Sequence, residues 1–407
     1  MKILILHGID AVEGMRRTSL HHAFFLPRHA PEHDYWLHAA SSPVTDTLLR
    51  EDFDAIIIET TFLCWRWGRP AELYAEVVKR KYDFLRDSKA VKIAFPQDDF
   101  DHSGVLDAWL SDWNVDVVYT PCYVDRETLY PRTSQQAEIR FGHTGFVEPE
   151  DLAIVARFAL PWRERRIDVG YRGKRQPIWF GRFGLLKAEF ADNFVAAADG
   201  TGLMLDISNE LKDTFYGDYW LRFLGQCRFV LGCETGGSVL DRYGDIRERC
   251  DAYIAKHPDA GFDEIEAACF PGLDRAVPVK AISPRLFEAA AAGCAQILAP
   301  GDYSGILEPW EHYLPLEPDM SNLGDILDAM RDEGKMAAMI KASRDALLFD
   351  PRLTYGAYTT DVLEAVTSRR PGLRIPEPME TVDALLRLAL QTGERWSAAW
   401  PRWWQSR

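Results

Sequence analysis

The sequence predicts an α/β protein made of two Rossmann-like domains that face each other across a cleft. The chain has 407 residues, which is longer than a single hydrophobic core usually grows. Short aliphatic runs bounded by turn residues alternate with helical stretches, which is typical of βαβ units that form a parallel sheet. This pattern starts again after a polar, arginine-rich stretch at residues 162–166, where we place the linker.

The first predicted domain, residues 1–163, has strands at 2–6, 54–59, 91–95 and 115–119. The second, residues 164–365, has strands at 167–171, 177–180, 202–206, 227–231, 295–299 and 313–316. Residues 240–279 are mostly polar without a clear strand, and we interpret them as an insertion. Residues 366–407 show helical spacing and end in a tryptophan cluster. We expect that segment to pack back onto the first domain and bury the rings.

Composition limits the class of protein. With 47% hydrophobic and 27% charged residues, the chain is a globular protein. The net charge of -15 argues against nucleic acid or an anionic membrane as the main partner, because the long-range field repels both. Any anionic ligand must then be held by local donors. No signal peptide and no membrane span is expected, and seven scattered cysteines indicate reduced thiols, so we expect a cytoplasmic protein.

The most informative segment is residues 280–298. Ser283 is a good N-cap and Pro284 suits the first helical position, so a helix is predicted to begin there and to end at Gly293. The start of a helix offers unpaired N–H groups to an anion, and Arg285 adds a charge with bidentate geometry. Glu288, one turn further on, is placed to accept hydrogen bonds from the hydroxyls of a ribose. A capped helix with a surface glutamate is the plain alternative.

Arg-Leu-Phe-Glu-Ala-Ala-Ala-x-Gly followed by an apolar strand resembles the donor-site segment of GT-B glycosyltransferases, particularly the spore-maturation-type and group 1 families. The resemblance implies that Glu288 binds the ribose of a nucleotide sugar. Many members carry a second glutamate seven residues earlier, which this chain lacks. Glu234, Thr235 and Gly236 follow an apolar strand and supply such a loop if residues 240–279 divide the motif, with Glu234 facing the sugar; a simple glycine turn is the alternative.

Three cations follow the first strands of the second domain, namely Arg172, Arg182 and Lys187. Arg182 and Lys187 are five residues apart. The resemblance implies that an arginine and a lysine with this spacing neutralise the diphosphate leaving group, so that no metal is required. A solvated basic loop is the alternative.

In the first domain, Asp98, Asp99 and His102 follow an apolar strand, at the edge where open α/β sheets bind ligands. One interpretation places them in the cleft, where they orient the acceptor hydroxyl or take its proton. The other makes Asp99 and Asp101 the metal-binding DxD motif of a GT-A enzyme. We favour the cleft, because a GT-A enzyme leaves the second domain unexplained.

The resemblance therefore implies transfer of a sugar from a nucleoside-diphosphate sugar to a hydroxyl acceptor, which is a glycan, a lipid-linked compound or a small molecule. It implies retention of the anomeric configuration and a setting in polysaccharide or glycoconjugate synthesis. The nucleotide sugar is a substrate, and no cofactor is expected. A nucleotide-sugar epimerase or hydrolase, and a noncatalytic sugar-binding protein with a degenerate site, remain open.

Overall fold

The first half of the chain forms a six-stranded parallel sheet. A computed structural model describes residues 1–10, 15–123 and 125–375. The strands are β1 Lys2–His7, β2 Asp34–Ala39, β3 Ala55–Ile58, β4 Val91–Ala94, β5 Val117–Thr120 and β6 Glu138–Phe141. Their order is β2-β1-β3-β4-β5-β6. Every residue of β3, β4 and β5 is buried, because helices cover both faces of the sheet.

The second half forms a five-stranded parallel sheet and a separate two-stranded antiparallel sheet. We name the second one the hairpin, although residues 240–273 lie between its two strands. The sheet strands are β7 Ile167–Arg172, β8 Leu205–Ser208, β9 Cys227–Gly232, β12 Ala295–Leu298 and β13 Leu314–Pro315; the hairpin strands are β10 Thr235–Val239 and β11 Asp274–Ala281. The sheet order is β13-β12-β9-β7-β8. Two parallel sheets with helical crossovers confirm the predicted α/β fold class.

Helices connect these strands. Those of the first half are α1 Arg17–Ala23, α2 Phe25–His29, α3 Asp46–Arg50, α4 Thr60–Leu63, α5 Ala71–Lys81, α6 Phe84–Asp87, α7 Ser103–Asp112, α8 Arg126–Leu129 and α9 Pro149–Phe158. Those of the second half are α10 Gly181–Ala197, α11 Asp218–Leu224, α12 Asp245–Ile254, α13 Phe262–Cys269, α14 Pro284–Ala291, α15 Leu323–Met330, α16 Glu333–Leu348 and α17 Tyr355–Arg369.

The strand predictions for the second half need two corrections. The predicted strand at 177–180 is a 3-10 turn, Ile178–Phe180, bounded by Pro177 and by Gly181, which has a φ of 75°. The predicted insertion, in contrast, contains β11, which pairs with the glycine-rich β10. Neither strand of this hairpin has strong β propensity, so these residues become strands because they pair with each other.

The last described helix, α17, packs against the first half. Tyr358 stacks on Phe25 with ring centroids 5.2 Å apart, and Arg140 Nη1 lies 2.9 Å from Asp361 Oδ1. One buried core joins a face of the first sheet to α14, α16 and α17. The predicted C-terminal segment comprises residues 366–407, so most of α17 precedes it. Its tryptophans, Trp396, Trp400, Trp403 and Trp404, lie outside the described residues, and their packing on the first half stays a prediction.

Candidate active site

A cleft of about 220 Å³ lies where the carboxyl ends of the two sheets face each other. Loops after β3 and β4 line one wall, and loops after β7 and β9 line the other. This is the edge at which open α/β sheets bind ligands. Of the lining side chains that the structure describes, six are basic (Arg16, Arg17, Arg172, Lys174, Lys187, Arg285) and three are acidic (Glu59, Asp98, Glu288). The local charge of the cleft is therefore opposite to the net charge of the chain.

Helix α14 begins at the cleft. Ser283 caps it, accepting a hydrogen bond from the Arg285 N–H at 3.4 Å, and Pro284 occupies the first helical position. The alanines of the helix are buried against the sheet, and Gly293 leaves the helix with a φ of 65°. Ser283, Pro284, Arg285 and Glu288 all line the cleft. The predicted helix start thus presents its free N–H groups to a ligand in this cleft.

Glu288 is a buried carboxyl group one turn into α14, 8% exposed. Trp220 Nε1 donates a 2.6 Å hydrogen bond to its Oε2. Burial raises the pKa of Glu288 to about 7, while the Trp220 hydrogen bond and the charges of Arg285 and Arg16 act in the opposite direction. Within the part of the chain that the structure describes, Oε1 accepts no hydrogen bond, so this oxygen is available to a ligand.

Arg285 and Lys187 place two cations beside Glu288. Arg285 Nη1 donates to the carbonyl oxygen of Arg172, and its guanidinium carbon lies 5.5 Å from the ring centre of Trp220. Burial, together with the charges of Arg285 and Arg16, lowers the pKa of Lys187 to about 7. Burial and Arg16 also lower the pKa of Arg285. Mutually repelling cations at one point in a cleft are typical of a site for an anion.

The hairpin brings the two separated sequence segments together. Thr235 pairs with Ala281 and Gly236 with Lys280, so both lie within a few residues of Ser283, and both line the cleft. Gly236 has a φ of 142°, and a Cβ there would lie 1.9 Å from the carbonyl oxygen of Val279. This position therefore requires glycine.

Glu234 lies outside the cleft, contrary to the role expected for it. Neighbouring residues of an extended segment point to opposite sides, so Thr235 faces the cleft and Glu234 faces away. Its Oε1 accepts hydrogen bonds from the Tyr303 N–H at 3.0 Å and from Tyr123, and its Oε2 lies 3.3 Å from Lys280 Nζ. These contacts make Glu234 a link between the hairpin and the loop after β12.

Arg182 also lies away from the cleft. On α10, five residues correspond to about 140° of rotation, so Arg182 and Lys187 point in different directions. Arg182 forms ion pairs with Asp263 and Asp274 and stacks on Phe262, 4.4 Å from the ring centre. It joins the start of α10 to the hairpin and to α13.

Arg172 lines the cleft, but its guanidinium is engaged elsewhere. It donates to Asp206 Oδ1 at 2.7 Å and to the carbonyl oxygens of Tyr171, Asp206 and Asp213. Its contribution to the site is the carbonyl oxygen that holds Arg285.

Of the three first-half residues predicted for chemistry, only Asp98 lines the cleft. Burial raises its pKa to about 6, and Asp101 and Asp99 add to this, against the charge of Arg66. Asp99 is fully buried, and its Oδ2 accepts hydrogen bonds from Thr120, at 2.5 Å, and from Tyr130.

His102 is 1% exposed, and its Nδ1 lies 2.8 Å from Oδ1 of Asp101. Its ring packs against Gly244, where an added Cβ would lie 2.3 Å from its Nε2. Asp99 and Asp101 are buried and do not line the cleft, which is contrary to the alternative interpretation of these residues as a DxD site.

Three features of the site escaped the sequence analysis. Trp220 is the hydrogen-bond partner of Glu288, and Arg16 reaches the cleft from the start of α1. His22 Nδ1 and Glu59 Oε1 form a buried pair 3.4 Å apart on the first-half wall. A glutamate directly after a fully apolar strand is a signal that could have identified Glu59. Arg16 and Trp220 belong to no motif.

No protein-family model and no curated protein matches the chain by sequence. Solved structures do match its fold. An alpha-glucosyltransferase in complex with UDP-glucose and DNA containing an abasic site is 11% identical, with a TM-score of 0.51 over 90% of this chain and 99% of that chain. The complex of an alpha-glucosyltransferase with UDP and a 13-mer DNA containing an HMU base is 11% identical, with a TM-score of 0.52 and the same coverage.

The Anabaena protein Alr3699/HepE in complex with UDP is 10% identical, with a TM-score of 0.50 over 90% of this chain and 100% of that chain. Together with the two facing parallel sheets, these matches show that the chain has the GT-B fold. The prediction of a GT-B fold is confirmed.

The predicted exclusion of nucleic acid is wrong. Two of the matching structures are complexes with DNA, so proteins of this fold do take nucleic acid as a partner. The physical reason is that net charge sets the electrostatic field far from the protein, whereas binding depends on the charges that line the binding site. A separate finding concerns membranes: no helix among the described residues is long and apolar enough to cross one.

Proposed function

We propose that the protein transfers a glycosyl group from a nucleoside-diphosphate sugar to a hydroxyl acceptor bound in the cleft. One observation supports this above all. A buried carboxyl group, Glu288, lies one turn into a helix whose free N–H groups, together with Arg285 and Lys187, face the same cleft. A nucleoside diphosphate carries the matching groups, ribose hydroxyls for the carboxylate and two phosphates for the cations.

The donor is proposed to bind along the second-half wall. The diphosphate lies at the start of α14 between Arg285 and Lys187, with Thr235 and Gly236 beneath it. Charge grows on the leaving diphosphate as the glycosyl bond breaks. Cations already held in place stabilise that charge, and a single well-aimed donor is worth about 3 kcal/mol of barrier height. Glu288 holds the ribose through its free oxygen.

The acceptor is proposed to bind along the first-half wall, where Thr18, Ser19, Thr61 and Gln97 offer polar groups to a hydroxyl compound. Asp98 is the proposed catalytic carboxylate, because it lines the cleft and faces the second half, where the charge of Lys187 acts on it. With a pKa of about 6, it is ionised at neutral pH and can orient the acceptor hydroxyl by accepting its hydrogen bond, while the leaving diphosphate oxygen takes the proton if the sugar is transferred with retention.

Two further proposals concern the course of the reaction. Metal independence is proposed because Arg285 and Lys187 already supply the charge that a divalent cation would otherwise bring to the diphosphate. Retention of configuration is proposed from the resemblance of the α14 segment to retaining GT-B enzymes. Activity that disappears in EDTA would contradict the first proposal, and an inverted anomeric proton coupling in the product NMR spectrum would contradict the second.

Calorimetric titration with UDP, GDP, TDP and CMP tests donor binding. We expect one nucleoside diphosphate to bind, and Glu288→Ala to weaken it at least tenfold, since a hydrogen bond to a charged group contributes about 1.5–3 kcal/mol. Glu189→Ala, which removes an exposed carboxylate on α10, is the matched control and should bind like the wild type. Equal binding by both variants would contradict the proposed ribose role.

Product analysis tests the transfer itself. The nucleotide sugar is incubated with monosaccharides, with oligosaccharides and with DNA containing an HMU base, which is bound in one solved structure with this fold. We expect one acceptor class to be glycosylated, and Asp98→Asn to lower kcat about 100-fold or more with little change in nucleotide Kd. Donor breakdown without any acceptor would instead indicate a hydrolase or epimerase.

A further inference from the structure

Arg16 is a first-half cation at the opening of the cleft. It directly precedes α1, is exposed, and lines the same cavity as Lys187 and Arg285. Within the described residues, its guanidinium has no hydrogen bond or ion pair. A free arginine at such a position is available to a ligand.

The neighbouring residue fixes where Arg16 lies. Arg17 Nε is 2.7 Å from Asp151 Oδ1, and Arg17 Nη1 is 3.1 Å from Asp218 Oδ1 on the first turn of α11. Asp218 belongs to the second half, so Arg17 holds the start of α1 across the cleft. Arg16 is thereby held beside the second-half wall instead of projecting freely into solvent.

The charges lining the cleft provide an independent argument. Arg17 and Arg172 are neutralised by aspartates outside the cleft, and Glu59 faces His22. Among the described lining residues, those that remain without an ion pair are positive at Arg16, Lys174, Lys187 and Arg285, and negative at Asp98 and Glu288. Positive groups therefore outnumber negative groups among these residues, and Arg16 is the one positive group of this set that the first half supplies.

The effect of Arg16 on its neighbours agrees with its placement. Its charge contributes to lowering the pKa of Lys187 and of Arg285, and it opposes the rise in the pKa of Glu288. The charge of Arg16 therefore lies close enough to these three second-half residues to change their pKa values. An anion placed there relieves the repulsion among the three cations.

We propose that Arg16 is the first half's ligand for the donor diphosphate, which it binds opposite Lys187 and Arg285 so that the diphosphate joins the two halves. This inference rests on the proposed function. It extends that function, because it makes the first half a part of the donor site as well as of the acceptor site. A nucleoside monophosphate, with only one phosphate, would gain less from this contact.

The experiment compares calorimetric Kd values for UDP and UMP, or for the corresponding pair if the titrations identify another base. Arg16→Ala should weaken diphosphate binding about 10-fold to 100-fold and monophosphate binding clearly less, and Arg16→Lys should restore part of the loss. Glu288→Ala should weaken both nucleotides alike. Arg50→Ala, which removes an exposed first-half arginine outside the cleft, is the control for net charge.

Each outcome is decisive. Arg16→Ala that binds the diphosphate as tightly as Arg50→Ala overturns the inference, while Glu288-dependent binding would leave the proposed function intact. Equal losses for the two nucleotides also overturn it, because Arg16 would then not distinguish the second phosphate. A wild-type protein that binds no nucleoside diphosphate overturns the proposed function and the inference together. Thermal melting of each variant verifies that it is folded.

Discussion

Lys187 should make binding of the nucleotide sugar depend on pH. Burial, together with the charges of Arg285 and Arg16, lowers the pKa of Lys187 in the empty cleft to about 7. A bound diphosphate supplies the opposite charge and raises this pKa again. The charged ammonium form binds the anion, so affinity is highest below pH 7 and falls as pH rises above it.

The size of the effect follows from proton linkage. Above pH 7, the protein must take up a proton to bind, so Kd should rise roughly tenfold per pH unit until the pKa of the bound state is reached. Between pH 6 and pH 8.5, this corresponds to about a 30-fold increase in Kd. A nucleotide sugar is the suitable ligand, because its diphosphate is esterified at both ends and does not titrate in this range.

Calorimetry at several pH values gives the measurement, and Lys187→Arg is the comparison. An arginine remains charged throughout the range, so its Kd should lack the increase above pH 7. Glu288, whose pKa is also raised to about 7, titrates in both proteins, and its effect cancels in the comparison. Parallel pH profiles of the two proteins would refute the reasoning, since they would show that Lys187 takes up no proton on binding.

Three other predictions concern single residues. Wild-type protein should bind the nucleoside diphosphate at least several-fold better than its 2'-deoxy analogue, and Glu288→Ala should abolish that preference in competition titrations; an unchanged preference would exclude a ribose contact. Gly236→Ala should lower the melting temperature and nucleotide affinity, because the new Cβ would lie 1.9 Å from a carbonyl oxygen, whereas Gly324→Ala, on helix α15 with no atom within 4 Å, should do neither. Burial raises the pKa of Asp151, but the charges of His21 and Arg17 outweigh burial and hold this pKa below its usual value. The ionised Asp151 therefore stabilises the folded protein above about pH 4, and this stabilisation is lost as pH falls further. Denaturant unfolding from about pH 5 to pH 3 should therefore show a smaller loss of stability in Asp151→Asn than in wild type.

The sequence predicted well those parts of the fold in which local and tertiary preferences agree. The central strands β1 and β3 contain continuous apolar runs, and β4 and β9 are apolar except for one basic residue each, so each strand is recognisable without its neighbours. The hairpin strand β10 was not predicted as a strand, because Thr-Gly-Gly-Ser-Val has low β propensity and gains its structure from pairing with β11. The edge strands β2 and β6 are half-exposed and polar, so they lack a clear apolar signal.

The residues of the site also fall into those that local sequence predicts and those that only the tertiary structure places. The helix cap at Ser283, the alanine face and Glu288 occur in one continuous segment, and their arrangement follows from helix geometry. Arg182 was expected at the site because of its spacing from Lys187, and Glu234 because it lies between an apolar strand and a glycine-rich turn. The rotation of α10 directs Arg182 toward Asp263, and the alternation of an extended segment directs Glu234 toward Tyr303.

The sequence by itself determined the α/β fold class and the helix start that carries Ser283, Arg285 and Glu288, because these depend on periodicity and on capping within a few neighbouring residues. Only the tertiary structure decided which side chains meet across the cleft. Arg16 and Trp220 come from elements distant in the chain, and their position depends on how the two halves pack. Local patterns do not encode that packing, since it arises from burial of apolar surface shared between the halves.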